Sequence, residues 1–381
     1  MIYLDYAAAT PIDEKVLAAM MPYFREQFFN SSASYLPARH VRADLENARH
    51  SIAQIIGARP AEIIFTAGAT ESINLALAGI GSAILTTAIE HSAVLEMAKS
   101  RGGRILPVDE KGRIDLNNLE KELTDDVEIV SIGYANNEIG TVQPLKEIAA
   151  IINKIKNDRQ NRGIKTRLLF HTDASQAAGL LDLNVARLGV DLLTLNAGKC
   201  YGPKQVGLLF VKAGVILKPL IRGGGHEMGL RSGTENMPGA IGFAKALNLA
   251  EKHRGSETKR LQILRDDLER FVVQEFPEAK INGDKKHHLP NILNFSLPGL
   301  DGERAVFALD EKGVLVATGS ACAANKGTRS HVLTAIGLDE ELADGSLRIS
   351  LGRPTTTEEI EQVKNILKEV LREQLKFGSN S

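Results

Sequence analysis

The sequence predicts an α/β protein, with a large domain built on a mostly parallel sheet and a smaller C-terminal α+β domain. Strand and helix patterns alternate up to about residue 255, and the pattern then changes. The length of 381 residues also exceeds the roughly 250–300 residues at which single cores stop growing. We therefore predict a large domain over residues 1–254 and a small domain over residues 255–381, with an N-terminal segment, residues 1–20, that can pack on the small domain.

Short runs rich in β-branched and other apolar residues mark the strands of the large domain. They lie at 62–67, 83–87, 104–108, 128–135, 167–173, 191–196 and 207–212. Helical patterns separate several of them, for example at 72–80 and 145–157, where apolar residues recur at three- and four-residue spacing. This alternation indicates a mostly parallel sheet that helices cover on both faces.

A different pattern of elements follows from about residue 255. It predicts a long helix over 257–275 and a final helix over about 357–374. Strands are predicted near 291–297, 313–317 and 346–351. In the large domain, the polar stretch 156–167 predicts a solvated loop.

The composition excludes several classes of protein. The formal net charge of −1 gives no reason to expect a nucleic-acid surface, and no apolar run approaches the roughly 20 residues of a membrane span. The first residues lack the pattern of a secretory signal, so we expect a cytoplasmic protein. Cys200 and Cys322 are too few for a disulfide framework or a tetrahedral cysteine site, and we expect no bound metal.

Polar clusters follow five of the predicted strands. They are TAGATES (66–72), EH (90–91), NNEIG (136–140), DASQ (173–176) and NAGK (196–199). Ligands of open α/β sheets bind at the carboxyl ends of the strands. One site that draws on all five clusters is therefore a better interpretation than five separate surface turns.

Three of these clusters together match the needs of one cofactor. Each also has a simpler interpretation: TAGATES as a capped helix start, Asp173 as the cap of a turn, and Lys199 as a surface lysine. Together they supply a helix N-terminus for a phosphate, a carboxylate for a pyridinium nitrogen and an amine for an aldehyde. The combination predicts a site for pyridoxal phosphate.

Other side chains add chemistry to this predicted site. His91 can stack on the cofactor ring and move protons near neutral pH. Asn137 can bind the ring hydroxyl or a substrate carboxylate, and Arg353 can form a bidentate pair with that carboxylate. The simpler interpretations are a structural histidine and a surface ion pair.

The two cysteines lie in different sequence contexts. Cys322 lies among small and polar residues in TGSACAANKG (318–327), which predicts an exposed loop and a nucleophilic thiolate. Cys200 follows an apolar strand and is predicted to pack in the core. The glycine-rich stretch 223–236 comes too late in the domain to be a dinucleotide-binding loop.

With these motifs in hand, the chain resembles the pyridoxal-phosphate-dependent cysteine desulfurases of the NifS/IscS type. The resemblance runs from YLDYAAATP to SLGRPTTTEEI and includes, in order, GATES, EH, ANNEIG, DASQ, KCYGPK, GGGHEMGLRSGTEN and TGSAC. It implies the type I fold of aspartate-aminotransferase-like enzymes, a homodimer, L-cysteine as substrate, and persulfide transfer to an iron–sulfur scaffold or a tRNA-thiolation relay. Neither a nucleic acid nor a membrane is an expected direct partner.

The resemblance also implies roles for individual residues. Lys199 binds the cofactor aldehyde and moves the substrate α-proton, and Cys322 takes up the sulfur as a persulfide. The remaining residues bind the cofactor or the substrate: Ala69, Thr70 and, from the neighbouring subunit, Thr234 at the phosphate, Asp173 at the ring nitrogen, Gln176 at the ring hydroxyl, His91 over the ring, and Asn137 and Arg353 at the substrate carboxylate.

Two positions depart from the motifs of this family. The usual Ser-x-His-Lys reads Asn196-Ala197-Gly198-Lys199, so that Asn196 is a possible phosphate donor and Gly198 removes one. The usual Asn-Pro of an early loop reads Asn30-Ser31. Two alternatives remain open at this level: a selenocysteine lyase or other β-eliminating enzyme on the same fold, and a cofactor-poor assembly scaffold.

Overall fold

The computed structural model describes residues 1–81, 83–319 and 329–378. Its strands are β1 Ile2–Tyr3, β2 Ile63–Thr66, β3 Ile84–Thr87, β4 Arg104–Leu106, β5 Ile129–Ser131, β6 Leu169–Asp173, β7 Leu192–Asn196, β8 Gly207–Val211, β9 Lys280–Ile281, β10 Ile292–Ser296, β11 Val314–Leu315, β12 Ala317–Thr318 and β13 Ser346–Ser350. Its α-helices are α1 Glu14–Met20, α2 Pro22–Arg25, α3 Leu36–Ile56, α4 Ala69–Ile80, α5 Ser92–Ser100, α6 Leu116–Glu122, α7 Leu145–Asn161, α8 Val185–Leu188, α9 Met237–Glu275, α10 Gly302–Glu311, α11 His331–Ala335, α12 Glu340–Asp344 and α13 Thr357–Gly378.

The main sheet has seven strands in the order β2-β8-β7-β6-β5-β3-β4. Neighbours from β7 through β6, β5 and β3 to β4 are parallel, and β8 is antiparallel to both β7 and β2. The carboxyl ends of β2, β3, β5, β6 and β7 therefore lie at the same edge. The predicted strands of the large domain are confirmed. Their apolar residues are mostly buried, as a sheet covered on both faces requires, except in the edge strand β4, where Ile105 is exposed.

A second sheet lies in the C-terminal part, in the order β12-β13-β10-β9, and all its neighbours are antiparallel. Its apolar side chains form a separate core with α9, α10 and α13. Ile2 and Leu4 belong to that core, and β1 pairs in parallel with β11. Ile2 and Leu4 thus contribute to the C-terminal core, while Val16 and Met20 belong to the core of the main sheet. The division into two domains at residue 254 stays a prediction.

Two helix boundaries differ from the predictions. Helix α9 begins at Met237 and not near residue 257. Residues 237–244 are all buried or half-buried, so this start lacks the amphipathic pattern by which helices are identified from sequence. Asn236 caps this start, since its Oδ1 accepts from the backbone N–H of Gly239. Helix α7 continues to Asn161, so half of the predicted loop 156–167 is helical. Within the described residues, no helix is both long and apolar enough to cross a membrane.

A buried ion pair joins α3 to the glycine-rich stretch 223–236. The guanidinium of Arg49 donates to the Glu227 carboxylate at 2.8 and 2.9 Å and to the Ile63 carbonyl at 2.7 Å. Glu227 has a φ of 48°, a conformation that residues other than glycine rarely adopt. The pair therefore stabilises a turn that the local sequence does not favour.

Replacing Arg49 with methionine should lower the free energy of unfolding by about 3–5 kcal/mol, because the Glu227 carboxylate would stay buried without its cation. Urea unfolding of both proteins measures the difference. The matched control is Arg162→Met, which removes an exposed pair with Asp125 and should leave the urea midpoint almost unchanged. Equal midpoints for Arg49→Met and the parent would show that the buried pair contributes no net stability.

Candidate active site

A cavity of about 630 Å³ opens at the carboxyl edge of the main sheet. It is lined by predicted site residues from all five polar clusters, namely Ala69, Thr70, His91, Asn137, Asp173, Gln176, Asn196 and Lys199. Arg353, Thr234 and Cys322 are not among its described lining residues. The clusters thus meet in one place because parallel strands end at one edge.

Lys199 ends a short 3₁₀ turn that directly follows β7. The turn is closed by Asn196, whose Oδ1 accepts from the backbone N–H of Gly198 at 3.0 Å. The ammonium of Lys199 donates to the carbonyls of Ala7 and Ala8 at 2.7 and 2.6 Å. The amine is therefore held at the cavity wall by the N-terminal segment, which excludes its interpretation as a surface lysine.

The start of α4 has the features of an anion-binding helix terminus. Gly68, with φ 147°, is its N-cap, and no side-chain hydrogen bond caps the helix there. The Glu71 carboxylate does not cap the helix, since it accepts from the backbone N–H of Ala67 and from the guanidinium of Arg231. A Cβ on Gly207 would lie 2.6 Å from the Gly68 carbonyl carbon, so β8 needs glycine for this close approach. The first backbone N–H groups of α4 can therefore bind a phosphate.

The end of β6 contributes a carboxylate and a hydroxyl. Asp173 Oδ1 accepts from the backbone N–H of Ser175 at 2.9 Å, and the Ser175 hydroxyl, which also lines the cavity, is buried without a hydrogen-bond partner in the described structure. Gln176 donates to the Ala7 carbonyl at 2.9 Å. Beneath them, burial lowers the pKa of His171 to about 4. The unsatisfied hydroxyl indicates a polar group that the cavity is built to accept.

His91 and Glu90 form the turn between β3 and α5. His91 caps α5, because its Nδ1 accepts from the backbone N–H of Ala93 at 3.1 Å. The buried Glu90 carboxyl accepts from the Thr87 hydroxyl at 2.6 Å and from the backbone N–H of Gly133 at 2.8 Å. Burial raises the pKa of Glu90 to about 8. Glu90 is thus a cavity residue that can carry a proton at neutral pH.

Two arginines are candidates for binding the substrate carboxylate, and they line two different spaces. Arg348 lines the main cavity and donates to the Asn137 carbonyl at 3.0 Å and to Asp5 at 2.7 Å, while its buried Nε has no partner in the described structure. Arg353 lines a neighbouring pocket, with its guanidinium 3.7 Å from the centre of the Tyr201 ring. Lys199 lines both spaces, so the two arginines approach it from different sides.

Thr234 and Cys200 do not line the main cavity. Thr234 lines a separate pocket of about 150 Å³ beside Phe65 and Arg231. Cys322 lies outside the described residues. Cys200 is buried, as predicted, and burial raises its thiol pKa to about 12, which makes it inert. Within the described ranges, no group of acidic, histidine or cysteine side chains could hold a metal ion.

Sequence reasoning gave no role to several residues of this cavity, among them Glu90, His331 and Arg348. Arg348 had a usable signal, since a charged residue in the middle of the apolar strand 346–351 must find a buried partner. Glu90 lay in the EH cluster, but only its burial in the structure indicates that it can carry a proton. His331 had no signal, because its position depends on a contact between distant parts of the chain: its ring is 2.9 Å from the Glu90 carbonyl.

Comparison with known proteins agrees with this architecture. Residues 2–363 match the family model described as aminotransferase class-V. The chain is 42% identical to the cysteine desulfurase IscS of Dictyoglomus turgidum, over 97% of this chain and 94% of that protein. It is 40% identical to the cysteine desulfurase IscS 1 of Archaeoglobus fulgidus, over 97% of both.

Solved structures give the same result. A NifS-like protein superimposes with a TM-score of 0.89 at 34% identity and covers 97% of this chain and 99% of its own. The structure described as SspA in complex with cysteine superimposes with a TM-score of 0.77 at 33% identity, over 92% of this chain and 99% of its own. The likeness therefore extends over both sheets and the cavity.

Proposed function

The chain belongs to the aminotransferase class-V family, with cysteine desulfurases of the IscS and NifS type as its relatives, and we propose that it is a pyridoxal-phosphate-dependent cysteine desulfurase. It converts L-cysteine to L-alanine and leaves the sulfur as a persulfide on Cys322, for iron–sulfur clusters or tRNA thiolation. The observation that carries the proposal is the single cavity where Lys199, Asp173 and the uncapped start of α4 meet.

The described residues fit pyridoxal phosphate. The first turn of α4, with Ala69 and Thr70, offers backbone donors for the phosphate, and Asn196 adds a side-chain amide at the same cavity. The unsatisfied hydroxyl of Ser175 beside Asp173 suits a polar ring substituent. When bound, this cofactor withdraws electrons from the substrate and makes its bonds at Cα and Cβ labile.

The residues of the chain then divide the remaining work. Lys199 would bind the aldehyde, and its Nζ, which donates to the carbonyls of Ala7 and Ala8 in this structure, would take the α-proton. Asp173 would hold a proton on the ring nitrogen, Gln176 would bind the ring hydroxyl, and His91 would lie over the ring. The Cys322 thiolate would form a bond to the substrate sulfur as the Cβ–S bond breaks, and the electron pair left on Cβ would take up a proton to give L-alanine.

The ends of the segment that contains Cys322 support this last role. Gly319 and Ser330 lie side by side, since a Cβ on Gly319 would be 3.4 Å from the Ser330 Cβ. Arg329 and His331 line the cavity. The segment therefore begins and ends close to the cavity.

The substrate carboxylate needs a cation beside Asn137. The sequence predicted Arg353, which stacks on Tyr201 and contacts Asp13 at 3.3 Å, whereas Arg348 lies in the same cavity as Asn137. We expect Arg348→Gln to raise the KM for L-cysteine at least tenfold, and Arg353→Gln to raise it less. Steady-state kinetics with both variants measures this, and a larger effect of Arg353→Gln would favour the sequence prediction.

A homodimer is part of the proposal, because Thr234 lies away from the cavity of its own chain and by family resemblance reaches the phosphate bound in the second copy. Large apolar side chains exposed on the chain support such a contact; they include Phe24, Phe28, Tyr35, Leu36, Ile216 and Met228. A cytoplasmic location also belongs to the proposal, since a reactive thiol at Cys322 needs a reducing compartment.

The test uses the full-length protein with pyridoxal phosphate. We expect a yellow protein whose absorbance band disappears on borohydride reduction, and equal amounts of alanine and sulfide from L-cysteine in the presence of a reductant. Pyruvate and ammonia as products would instead identify a β-eliminating enzyme. Failure to bind the cofactor would favour an assembly scaffold.

Gly198 offers a separate prediction about cofactor affinity. Its φ lies outside the left-handed region, and a Cβ there would meet Asn196 Oδ1 at 3.4 Å and Lys204 Cγ at 3.8 Å, both ordinary contacts. The backbone therefore does not require glycine. We expect Gly198→His to bind pyridoxal phosphate about threefold to tenfold more tightly, because it adds a donor for the phosphate.

Titration of the cofactor-free proteins at equal salt measures this affinity. Gly198→Ala is the matched control, because it adds the Cβ without a donor and should bind like the parent. Equal or weaker binding by a folded Gly198→His variant would contradict the prediction.

A further inference from the structure

Two histidine rings line the cavity, His91 and His331, and their hydrogen bonds fix opposite tautomers. The backbone N–H of Ala93 donates to His91 Nδ1, so this nitrogen carries no hydrogen. The neutral His91 ring must then carry its hydrogen on Nε2. His91 therefore has a donor left for a bound molecule.

His331 has the reverse arrangement. Its Nε2 lies 2.9 Å from the backbone carbonyl oxygen of Glu90, and a carbonyl can only accept. Nε2 therefore carries the hydrogen and Nδ1 carries the lone pair. Within the parts of the chain that the structure describes, no group donates to that nitrogen. His331 thus has an acceptor left.

The residues on both sides of the hydrogen bond between His331 and the Glu90 carbonyl are themselves held by side-chain hydrogen bonds. Ser330 caps α11, since its Oγ accepts from the backbone N–H of Leu333 at 3.2 Å, and it donates to the Glu138 carboxylate at 2.5 Å. The Glu90 side chain is fixed by Thr87 and Gly133. Burial, Lys99 and His91 lower the pKa of His331, so the ring is neutral at neutral pH.

An acceptor at this place can distinguish two substrates that differ by one atom. Cysteine enters as a thiol that still carries its hydrogen at neutral pH, whereas selenocysteine, a stronger acid, enters as a selenolate without one. Lys99 and Arg329 line the same cavity and favour the ionised side chain. A preference for the thiol therefore needs a neutral hydrogen-bond acceptor. Its lone pair binds the hydrogen of a thiol and repels the negative charge of a selenolate.

We propose that His331 is this specificity-determining residue, whose Nδ1 accepts a hydrogen bond from the thiol of L-cysteine and disfavours L-selenocysteine. The inference rests on the proposed desulfurase function. Cys322 lies nine positions before His331 in the sequence, so the chain that carries His331 leads to the proposed sulfur acceptor.

Two variants separate the acceptor from the anchor to Glu90. In His331→Gln the amide nitrogen can take the place of Nε2, which keeps the bond to the Glu90 carbonyl and removes the acceptor at Nδ1. In His331→Asn the amide oxygen can take the place of Nδ1, which keeps the acceptor and removes the anchor. The kcat/KM for alanine formation is measured for both variants and the parent, with L-cysteine and with L-selenocysteine under a reductant.

We expect His331→Gln to lower the ratio of kcat/KM for L-cysteine to that for L-selenocysteine about fivefold to tenfold, as one hydrogen bond would. His331→Asn should keep the ratio of the parent. An unchanged ratio in His331→Gln, or an equal loss in both variants, would overturn the inference alone. A parent protein that forms no alanine from L-cysteine would reject the proposed function, and the inference with it.

Discussion

Replacing Lys199 with alanine should reduce alanine formation from L-cysteine by about 10⁴-fold or more, the upper range for loss of a positioned proton-transfer group. The variant loses both the amine that binds the aldehyde and the base for the α-proton. Because the helix start and Asp173 stay in place, pyridoxal phosphate should still bind, but without a covalent bond to the chain. Mass spectrometry after borohydride reduction should then find no cofactor attached to the protein.

The matched control for this experiment is Lys218→Ala, which removes an exposed lysine outside the cavity. It should keep both the activity and the reducible link to the cofactor. The same two readouts decide the role of Lys199. Turnover of Lys199→Ala near the level of the parent, or a cofactor still fixed to another lysine by borohydride, would contradict the assignment.

Replacing Cys322 with serine should abolish persulfide formation while the chemistry at Cα continues. A serine hydroxyl is not ionised near neutral pH and cannot attack the substrate sulfur. The variant should therefore bind the cofactor like the parent and exchange the α-hydrogen of L-cysteine with deuterium from the solvent. Alanine formation should fall below detection, and mass spectrometry should find no sulfur adduct on the protein.

Cys200→Ser is the control for this second prediction. Cys200 is buried, and its thiol donates to the Ala197 carbonyl at 3.5 Å, a contact that serine can reproduce. This variant should keep persulfide formation. Full sulfide production by Cys322→Ser, or its loss in a folded Cys200→Ser, would move the sulfur chemistry to another residue.

Local sequence patterns determined most of the fold and the candidate cavity. The apolar runs of the main sheet and the polar clusters after them could be identified without the structure, because both follow from rules that act over a few residues. Asp173 and Lys199 were found in this way, since each directly follows or ends a strand. The same local reasoning separated the buried Cys200 from Cys322.

Only the tertiary structure decided the features that depend on distant parts of the chain. The amine of Lys199 is held by the carbonyls of Ala7 and Ala8, which lie 192 and 191 positions away in sequence. The hydrogen of His331 is fixed on Nε2 by the carbonyl of Glu90. Arg348, and not Arg353, lies in the main cavity beside Asn137; Arg348 pairs with Asn294 in the middle of β13, whereas Arg353 follows the end of that strand. Such contacts arise from packing, which short sequence windows do not encode.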